Sequence, residues 1–458
     1  ADRAARVQDG AAAPSLRDAR LAGTEDRDAV LHHRHPDDDC QPGDFQGEIV
    51  CLKAEEVKGK RFSVIGGARS GIAVARLLKT HGAHVFLSDK APAEKMLQAA
   101  AELTAAHIDC EFGGNTEKVL AADMVVLSPG VPSDVPVVKE ALKRGLSVVS
   151  EIEVASWFCP SPIVAITGTN GKTTTTALTG RMFEDARRPC FVGGNIGIAF
   201  SQLVGEATPD GTAVLEISSF QLDHIQTFKP KVAVWLNVTP DHLDRYEHSY
   251  EKYIASKCRV FENQRAGDVL IYNTDDETER GYVERLAHPS VKKLAFSAHS
   301  SVDEGAFVES GHMVVRIDGE RSWVIPTDQI SIRGMHNLYN AMAATLTATT
   351  MGISTASIRA TLRNFRGVEH RLEFVADVNG AMYVNDSKAT NVDSVWYALQ
   401  SFDRPIVLFL GGRDKGNDYS RLFDLVKRHV RAIIAIGESA DKVIEAFATI
   451  VSVTRATS

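Results

Sequence analysis

A short glycine-containing loop is the segment of this chain best suited to chemistry. It follows the apolar run Ile163–Ile166 and precedes Thr175–Glu184, a stretch predicted to be helical. Backbone N–H groups in such a loop bind phosphate oxygens, Lys172 reaches the β- and γ-phosphates, and the Thr173 hydroxyl ligates Mg²⁺. The loop therefore predicts an ATP site, the alternative being a threonine-rich turn with an incidental lysine. The predicted ATP-binding residues here are Gly168, Thr169, Asn170, Gly171, Lys172, Thr173 and Thr174.

The loop differs from the standard phosphate-loop pattern G-x-x-x-x-G-K-[ST], because Ile166 stands where the first glycine is required. The shortened form, GTNGKT, resembles the ATP loop of the Mur ligases and of the folylpolyglutamate synthases. Both groups activate a carboxylate as an acyl phosphate, which an amine then attacks. The resemblance therefore implies an enzyme that forms amide bonds.

Further segments resemble the Mur ligase family, and within it the branch that adds D-glutamate to UDP-N-acetylmuramoyl-L-alanine. The resemblance runs from about Arg61 to about Gly437 and implies an ATP-dependent acid–amino-acid ligase of peptidoglycan precursor synthesis. The alternatives are an inactive nucleotide-binding fragment, or another Mur ligase or a folylpolyglutamate synthase-like amide ligase. The segments are Gly193–Gly197, Leu215–Leu222, Asn237–Tyr246, His336–Ala344, Glu369–Glu373, Asn385–Asn391 and Leu410–Gly416.

Two Mg²⁺ ions are implied by this resemblance. Glu216 follows an apolar strand, where a carboxylate is costly unless a cation meets it. By resemblance it ligates Mg²⁺ with Thr173, and otherwise it caps a helix. His242 is implied as a ligand of the second ion, although a histidine after a Pro-Asp turn is more often a structural hydrogen-bonding residue. Asp241 and Asp244 are rival ligands for that ion.

Lys257 lies in the helical stretch Tyr250–Phe261 and, taken alone, reads as a solvated surface lysine. The resemblance instead aligns it with a lysine that becomes carbamylated by CO₂. A carbamate replaces a repelled ammonium by an oxygen ligand, which is the kind that Mg²⁺ prefers. Carbamylation requires the neutral amine, so burial is expected to lower the pKa of Lys257.

Other catalytic and ATP-binding residues are expected in the central and third parts of the chain. Asn195 in GGNIG is expected to position the substrate or its phosphate, or else it marks a plain turn. Asn337 and Asn340, three apart on one helix face, resemble amides that contact adenine. By resemblance, Arg371 contacts the γ-phosphate and Asp386 lies at the ATP ribose.

The D-glutamate site is implied at the third domain. Thr390 and Lys415 resemble binders of the D-glutamate carboxylates, and Lys388 belongs to the segment at the domain closure surface. Lys415 has an alternative as a charged residue of a surface turn, because RDKG is typical of a loop.

The UDP end of the substrate is implied near the N-terminal glycine turn at Gly66–Gly71, which follows a predicted strand. Asp89 ends the next strand, a spacing that also favours a dinucleotide site. Ala68 replaces the second glycine of that fingerprint, so the match to a dinucleotide site is partial. By resemblance, the residues that line the UDP end are Arg69, Ser70, Asp89, Lys90 and Gly130.

Strands that alternate with helices must position these residues, which predicts parallel Rossmann-like sheets. The predicted fold class is α/β, with the three-domain Mur ligase architecture. Residues 1–56 are predicted to be a disordered extension, 57–157 a UDP-binding Rossmann-like domain, 158–367 a central P-loop ATPase domain and 368–458 an incomplete Rossmann-like ligase domain. The predicted strands are Arg61–Ile65, Val85–Ser88, Met124–Leu127, Ile163–Ile166, Ala213–Ile217, Val232–Asn237, Met382–Val384, Ile406–Leu410 and Ala432–Ile436.

Composition limits the partners. The net charge of −8 argues against nucleic acid, which requires a basic surface. The six cysteines are scattered without a CxxC pair, which favours reduced thiols in a cytoplasmic protein. No apolar run approaches the roughly 18 residues of a membrane helix. The expected partners are therefore small-molecule substrates, and a monomer is expected.

The C-terminal end does not match the family's pattern. The resemblance implies a further segment of the form SPAxxSxDxF, whose Ser and Phe help to bind D-glutamate. Residues 449–458 do not resemble that segment. A truncated chain with an incomplete glutamate pocket is therefore expected.

Overall fold

The computed structural model describes residues 54–413 and 417–456. Residues 1–53 of the extension predicted to be disordered, and Lys415 with its predicted role, lie outside the described residues, whereas the prediction is wrong for residues 54–56. A short 3₁₀ turn at Ala54–Glu56 precedes the first strand.

The N-terminal region is a parallel sheet flanked by helices. Its strand order, β3-β2-β1-β4-β5, places the first strand in the middle, as in a Rossmann-like fold. The predicted strands at Arg61–Ile65 and Met124–Leu127 are confirmed. The elements are β1 (Arg61–Ile65), α1 (Arg69–Thr80), β2 (His84–Asp89), α2 (Leu97–Ala105), β3 (Asp109–Phe112), β4 (Met124–Leu127), α3 (Pro136–Lys143), β5 (Ser147–Ser150) and α4 (Glu151–Phe158).

The central region is built on a larger mixed sheet of order β14-β13-β12-β11-β10-β9-β6-β8-β7. Its strands from β6 to β12 pair in parallel, and β12, β13 and β14 form an antiparallel extension that the sequence reading did not predict. Its first elements are β6 (Ile163–Thr167), α5 (Lys172–Asp185), β7 (Cys190–Gly194), α6 (Phe200–Leu203), β8 (Thr212–Glu216), α7 (Ser219–Leu222), β9 (Val232–Trp235) and α8 (Tyr250–Cys258). They are followed by β10 (Val269–Asn273), α9 (Glu277–Leu286), β11 (Lys292–Ser297), β12 (Gly305–Glu309), β13 (His312–Ile317), β14 (Glu320–Pro326), α10 (Met335–Thr350) and α11 (Thr355–Asn364).

One boundary differs from the sequence prediction in a way that matters for the site. Helix α5 begins at Lys172, not at Thr175. Gly171 precedes it with φ of 84°, a left-handed conformation that glycine adopts without strain. The chain therefore turns into the helix directly after the glycine, and Lys172 and Thr173 lie in the first helical turn.

The C-terminal region consists of two separate sheets. Strands β15 and β16 form an antiparallel pair, whereas β17, β18 and β19 are parallel, and each predicted strand is followed by a helix as expected. Apolar side chains remain on the surface here, among them Phe374 at 63% and Phe409 at 61% exposure. The elements are β15 (Glu373–Val378), β16 (Ala381–Asn385), α12 (Val392–Leu399), β17 (Ile406–Gly411), α13 (Phe423–His429), β18 (Val430–Ile436), α14 (Ala440–Phe447) and β19 (Ser452–Arg455).

The order of the central strands explains where a site can form. Strand β6 lies between β9 and β8, and β7 pairs with β8. The loop after β6, Asn195 after β7, Glu216 at the end of β8 and Asn237 after β9 therefore meet at one edge. The carboxyl edge of parallel strands is where α/β sheets bind ligands. No helix within the described residues is long and apolar enough to cross a membrane.

Candidate functional site

The phosphate loop is closed by its own lysine. The Lys172 ammonium donates hydrogen bonds to the carbonyl oxygens of Gly168 and Thr169, at 2.9 and 2.8 Å. Burial lowers the pKa of Lys172, while the negative charges of Glu216 and Asp241 oppose that shift. A cation held by two carbonyl oxygens in a buried loop is poised to meet an anion such as a phosphate.

Asn237, two residues after the neighbouring strand β9, fixes the middle of the loop. Its side chain accepts from the backbone N–H of Asn170 at 2.8 Å and donates to the carbonyl of the same residue at 2.9 Å. The Thr169 hydroxyl donates to the carbonyl of Thr239 at 3.0 Å. The loop conformation is thus set by the strand beside it.

Four side chains from different parts of the chain meet beside the loop. The Thr173 hydroxyl donates to Glu216 Oε2 at 2.8 Å, and Asn195 Nδ2 donates to Glu216 Oε1 at 3.2 Å. Arg371 from the C-terminal region donates to the Thr173 oxygen at 3.2 Å. Glu216 is only 2% exposed. The structure therefore brings together the residues that the sequence reading assigned to the first Mg²⁺ and to the γ-phosphate.

These oxygen atoms are of the type that Mg²⁺ prefers, since a hydroxyl and a carboxylate lie within hydrogen-bond distance of each other. Within the described residues, no group of three or more His, Cys, Asp or Glu side chains is arranged to hold a metal ion. A Mg²⁺ ion at Thr173 and Glu216 would thus complete its coordination with phosphate oxygens or water, as is usual for this ion.

Lys257 is buried, in contrast to the surface lysine that its position alone suggests. It is 1% exposed, and its Nζ donates to the carbonyl of Gly168 at 2.9 Å. The same carbonyl accepts from Lys172. Burial, followed by the nearby positive charge of Lys172, holds the pKa of Lys257 well below its usual value. The predicted lowering of this pKa is therefore supported, and Lys257 faces the phosphate loop.

His242 lies in the segment that follows β9. It has a left-handed backbone, its side chain is 48% exposed and its Nε2 lies 3.9 Å from Asp241 Oδ2. Asp241 is the residue whose charge acts on both Lys172 and Lys257. Of the two carboxylates that rival His242 as a ligand, Asp241 therefore lies near enough to influence both lysines.

A cavity of about 360 Å³ lies between the phosphate loop, helix α10 and the C-terminal region. Asn337 and Asn340 line it, and Asn340 Nδ2 donates to Asn337 Oδ1 at 3.1 Å. Asn340 Oδ1 lies close to Gly171, where any β-carbon would approach it to 2.2 Å. The glycine is therefore required for the helix and the loop to meet.

Arg371 and Asp386 form the C-terminal wall of this cavity. Arg371 Nε is buried without a hydrogen-bond partner among the described residues. Asp386 accepts from the backbone N–H of Leu372 at 3.1 Å. Burial raises the pKa of Asp386 to about 6, although Arg371 and the Leu372 N–H act in the opposite direction. The wall thus presents an unsatisfied donor and an acidic acceptor to any ligand in the cavity.

The residues assigned to D-glutamate are less enclosed. Lys388 and Thr390 are both exposed, and the backbone N–H of Lys388 donates to the carbonyl of His370 at 3.2 Å. They lie on the segment that leads from β16 into α12. Their segment therefore reaches the site edge without forming an enclosed pocket.

Two residues at the start of α12, the N-cap Asn391 and Ser394 of the first turn, reach the phosphate loop and were not predicted from the sequence. Asn391 Nδ2 donates to Asn170 Oδ1 at 3.1 Å, and the Ser394 hydroxyl donates to the same atom at 3.0 Å. The asparagine before an apolar helix signals an N-cap in the sequence. No local sequence pattern, however, indicates the contact of Asn391 with Asn170.

The N-terminal residues assigned to the UDP end surround the glycine turn. Asp89 accepts from the backbone N–H groups of Gly67 and Ala91, at 2.5 and 2.7 Å. Arg69 donates to the carbonyl of Gly197 in the central region at 2.7 Å. Asp89 Oδ2 thus holds the glycine turn, while Oδ1 holds the chain just after β2. The remaining assigned residues are the partly exposed Ser70 and the exposed Lys90 and Gly130.

A further contact reaches the loop that contains Gly130. Arg245 of the central region donates to the carbonyl of Pro129 at 3.3 Å, and its guanidinium lies 4.5 Å above the ring centroid of Phe220. The N-terminal and central regions are therefore connected on this side as well as at Arg69.

Comparison with known families gives matches along most of the chain. Residues 166–348 match the Mur ligase middle domain. Residues 60–150 match the N-terminal domain of MurD-like Mur ligases, and residues 370–457 match the glutamate ligase domain of Mur ligases. The matched segments follow the same order as the three sheet regions.

The chain is also similar to curated proteins named UDP-N-acetylmuramoylalanine–D-glutamate ligase. The protein of Salinibacter ruber is 52% identical over 399 residues, which cover 86% of this chain and 86% of that protein. The protein of Chloroherpeton thalassium is 47% identical over 416 residues, which cover 88% and 89%.

Solved structures share the fold at low sequence identity. MurF from Acinetobacter baumannii has a TM-score of 0.55 at 18% identity, covering 88% of this chain and 83% of that one. The UDP-N-acetylmuramate–alanine ligase MurC from Thermotoga maritima has a TM-score of 0.54 at 19% identity, covering 87% and 90%. These likenesses support the α/β architecture.

Proposed function

The chain belongs to the Mur ligase family, among the UDP-N-acetylmuramoylalanine–D-glutamate ligases, and from this premise we propose that it joins D-glutamate to UDP-N-acetylmuramoyl-L-alanine at the expense of ATP. The alanine carboxylate attacks the γ-phosphorus, which gives an acyl phosphate and ADP. The D-glutamate amine then attacks the acyl carbon, loses a proton and expels phosphate. The observation that carries this proposal is the phosphate loop with Lys172, with Thr173 bonded to Glu216 and with the buried Lys257 beside it.

The phosphate loop and α5 bind the ATP phosphates in this proposal. Lys172 exchanges its carbonyl partners for phosphate oxygens, and Arg371 reaches the γ-phosphate from the opposite wall. Asn337 and Asn340 bind adenine, and Asp386 accepts from the ribose hydroxyls. Asn337, Asn340, Arg371 and Asp386 line one cavity beside the phosphate loop, which supports the assignment.

Thr173, Glu216, His242 and the carbamate of Lys257 would hold two Mg²⁺ ions, which would neutralise phosphate charge as the phosphoryl group moves. The donor pair Thr173 and Glu216 supports the first ion. For the second ion, Asp241 remains a rival to His242 because its charge acts on both lysines.

Carbamylation of Lys257 follows from its environment. Burial lowers the pKa of Lys257 and so favours the neutral amine, which attacks CO₂, forming an N–C bond and releasing one proton. The resulting anion would relieve the repulsion between Lys257 and Lys172 beside the Gly168 carbonyl. Carbon-13 NMR of the protein under ¹³CO₂ measures the carbamate directly, apart from any activity.

The outer regions bind the other two substrates. The glycine turn with Arg69, Ser70, Asp89, Lys90 and Gly130 binds the UDP end, within a domain over residues 57–157. The segment with Lys388 and Thr390 binds D-glutamate, within a domain over residues 368–458, and residues 158–367 form the ATPase domain between them. Family membership and the position of each segment support these assignments. The monomeric state and the cytoplasmic location stay predictions.

Hydroxylamine trapping tests the two half-reactions separately. With ATP, Mg²⁺ and UDP-N-acetylmuramoyl-L-alanine, hydroxylamine should convert the acyl phosphate to a hydroxamate that mass spectrometry detects. With D-glutamate instead of hydroxylamine, the amide product should form, and L-glutamate serves as the control. Hydroxamate formation with a folate substrate but not with the UDP-sugar would contradict the proposed function.

A further inference from the structure

The contact between α12 and the phosphate loop joins two parts of the chain that are far apart in sequence. Asn391 Nδ2 donates to Asn170 Oδ1 at 3.1 Å and to Asp241 Oδ2 at 3.2 Å. The hydroxyl of Ser394 adds a second donor to Asn170 Oδ1 at 3.0 Å. One amide of the C-terminal region thus connects the loop after β6 with the loop after β9.

Asn391 has a second, local role that fixes the direction of its amide. Its Oδ1 accepts from the backbone N–H of Ser394 at 2.9 Å, which caps the N-terminus of α12. Because the side-chain oxygen is held by the helix, the NH₂ group points away from it and towards Asn170 and Asp241. The cap therefore preorganises the contact with the loop.

Asn170 is equally well fixed on the other side. Its backbone N–H and carbonyl are both held by the Asn237 side chain, so its side-chain oxygen is free of any role in the loop itself. That oxygen accepts hydrogen bonds from Asn391 and Ser394. This geometry matches a docking point for the C-terminal region.

We propose that Asn391 is a positioning residue that holds the C-terminal region against the phosphate loop and so places the amino-acid acceptor at the reacting carboxylate. The inference rests on the proposed function, because Thr390, assigned to the amino acid, directly precedes Asn391. Loss of the contact shifts the chain towards arrangements in which Thr390 lies away from the loop. The apparent affinity for the amino acid falls in proportion to the fraction of chains that remain closed.

Asn391→Ser and Asn391→Asp separate the cap from the contact. Serine and aspartate both keep an oxygen that caps α12, and both remove the NH₂ donor. Only aspartate adds a negative charge beside Asp241. The matched control is Asn364→Asp, because the Asn364 amide is exposed and bonds to the carbonyl of Ala360 in its own helix.

Both Asn391 variants should raise the KM for D-glutamate by about three- to tenfold, the size expected for the loss of one or two hydrogen bonds. The KM for the UDP-sugar should stay within about twofold, because that substrate is held by other regions, and the melting temperature within about 2 °C, because the cap is kept. Small-angle X-ray scattering with ADP and Mg²⁺ should give a larger radius of gyration for both variants. Asn364→Asp should match the unchanged chain in all four measurements.

Three results would overturn the proposal. Asn391→Ser could match the unchanged chain in scattering and in KM, which would leave charge repulsion as the cause of any effect of aspartate. Both variants could instead show a large fall in melting temperature, which would give Asn391 a role in folding only. The KM for the UDP-sugar could also rise as much as that for D-glutamate. If the unchanged chain showed no D-glutamate ligase activity, the proposed function would be refuted. The Asn391 contact could still be tested, because the scattering measurement does not require turnover.

Discussion

The two sides of the nucleotide cavity are built in opposite ways. On the central side, Glu216, Lys257 and Asn340 are buried at the edge of a sheet whose strands are themselves buried. On the C-terminal side, Lys388 and Thr390 are exposed, and the sheets behind them leave Phe374 and other large apolar side chains on the surface.

This difference indicates where each kind of chemistry belongs. A charged group works best when its environment is fixed before the substrate arrives, and a buried sheet edge provides that. A group that must admit and then enclose a substrate has to move, so it is attached by a few polar contacts, such as those of Arg371 and Asn391. Substitutions on the central side should therefore cost more activity than those on the C-terminal side.

The largest effect is expected for Lys172→Ala. Lys172 places its charge where phosphate charge develops, in a partly buried loop, so kcat should fall by about 10³-fold with the melting temperature little changed. The control is Arg181→Ala on the same helix, where the arginine forms an exposed ion pair with Asp185 at 2.7 Å. Phosphate release in a coupled assay measures the effect, and equal rates for the two variants would disprove the phosphate-loop assignment.

Lys257→Ala should lower kcat by about 10²-fold, the upper range for removing a group that supports a metal site. Acetate should restore part of the activity, because a small carboxylate fills the position of the lost carbamate. Lys252→Ala is the control, since Lys252 lies on the same helix but is exposed and paired with Glu247. Activity that is lost without any rescue by acetate, formate or propionate would count against a carbamate.

A smaller effect, about tenfold in kcat/KM for ATP, is expected for Arg371→Ala on the C-terminal side, because one charge-assisted hydrogen bond is lost. Arg363→Ala is the control, since that arginine binds Gln329 on the surface. If Arg371→Ala costs as much as Lys172→Ala, the two sides of the cavity do not differ in the way proposed.

The sequence was most informative where chemistry is local. The loop from Gly168 to Thr173 is contiguous, and the short strand before it fixes its direction, so its role is readable without a structure. The start of α5 was misplaced because four threonines in a row disfavour a helix, whereas Gly171 allows the chain to turn into one at Lys172. The low helix propensity of the threonines was therefore outweighed by the backbone freedom of Gly171.

Long-range contacts could not be predicted from residue type. Lys257 reads as a surface lysine, and only its position against Gly168 explains its burial. The contacts of Asn391 and Ser394 with Asn170 likewise depend on where α12 is placed, which no local pattern encodes. The family resemblance identified Lys257 as a site residue although its local sequence did not, whereas nothing in the sequence identified Asn391.

The smallest expected effect is a pH dependence at Asp386. Burial raises its pKa to about 6, above the roughly 3.9 of an unfolded chain, so the folded protein holds this proton more tightly between these values. The stability that this group contributes is therefore complete below about pH 4 and is lost as the pH rises through about 6. Nucleotide binding should change in the opposite direction, because an ionised Asp386 is the better acceptor for ribose hydroxyls.

Two measurements on Asp386→Asn check both directions. The KM for ATP of the unchanged chain should fall a few-fold between about pH 5.5 and 7.5, whereas that of the variant should stay nearly constant over this range. The melting temperature of the unchanged chain should decline relative to the variant as the pH rises from about 4 to about 6. Parallel pH profiles for the two proteins would show that Asp386 does not titrate in this range, and that its side of the cavity is as firmly organised around an ionised group as the central side.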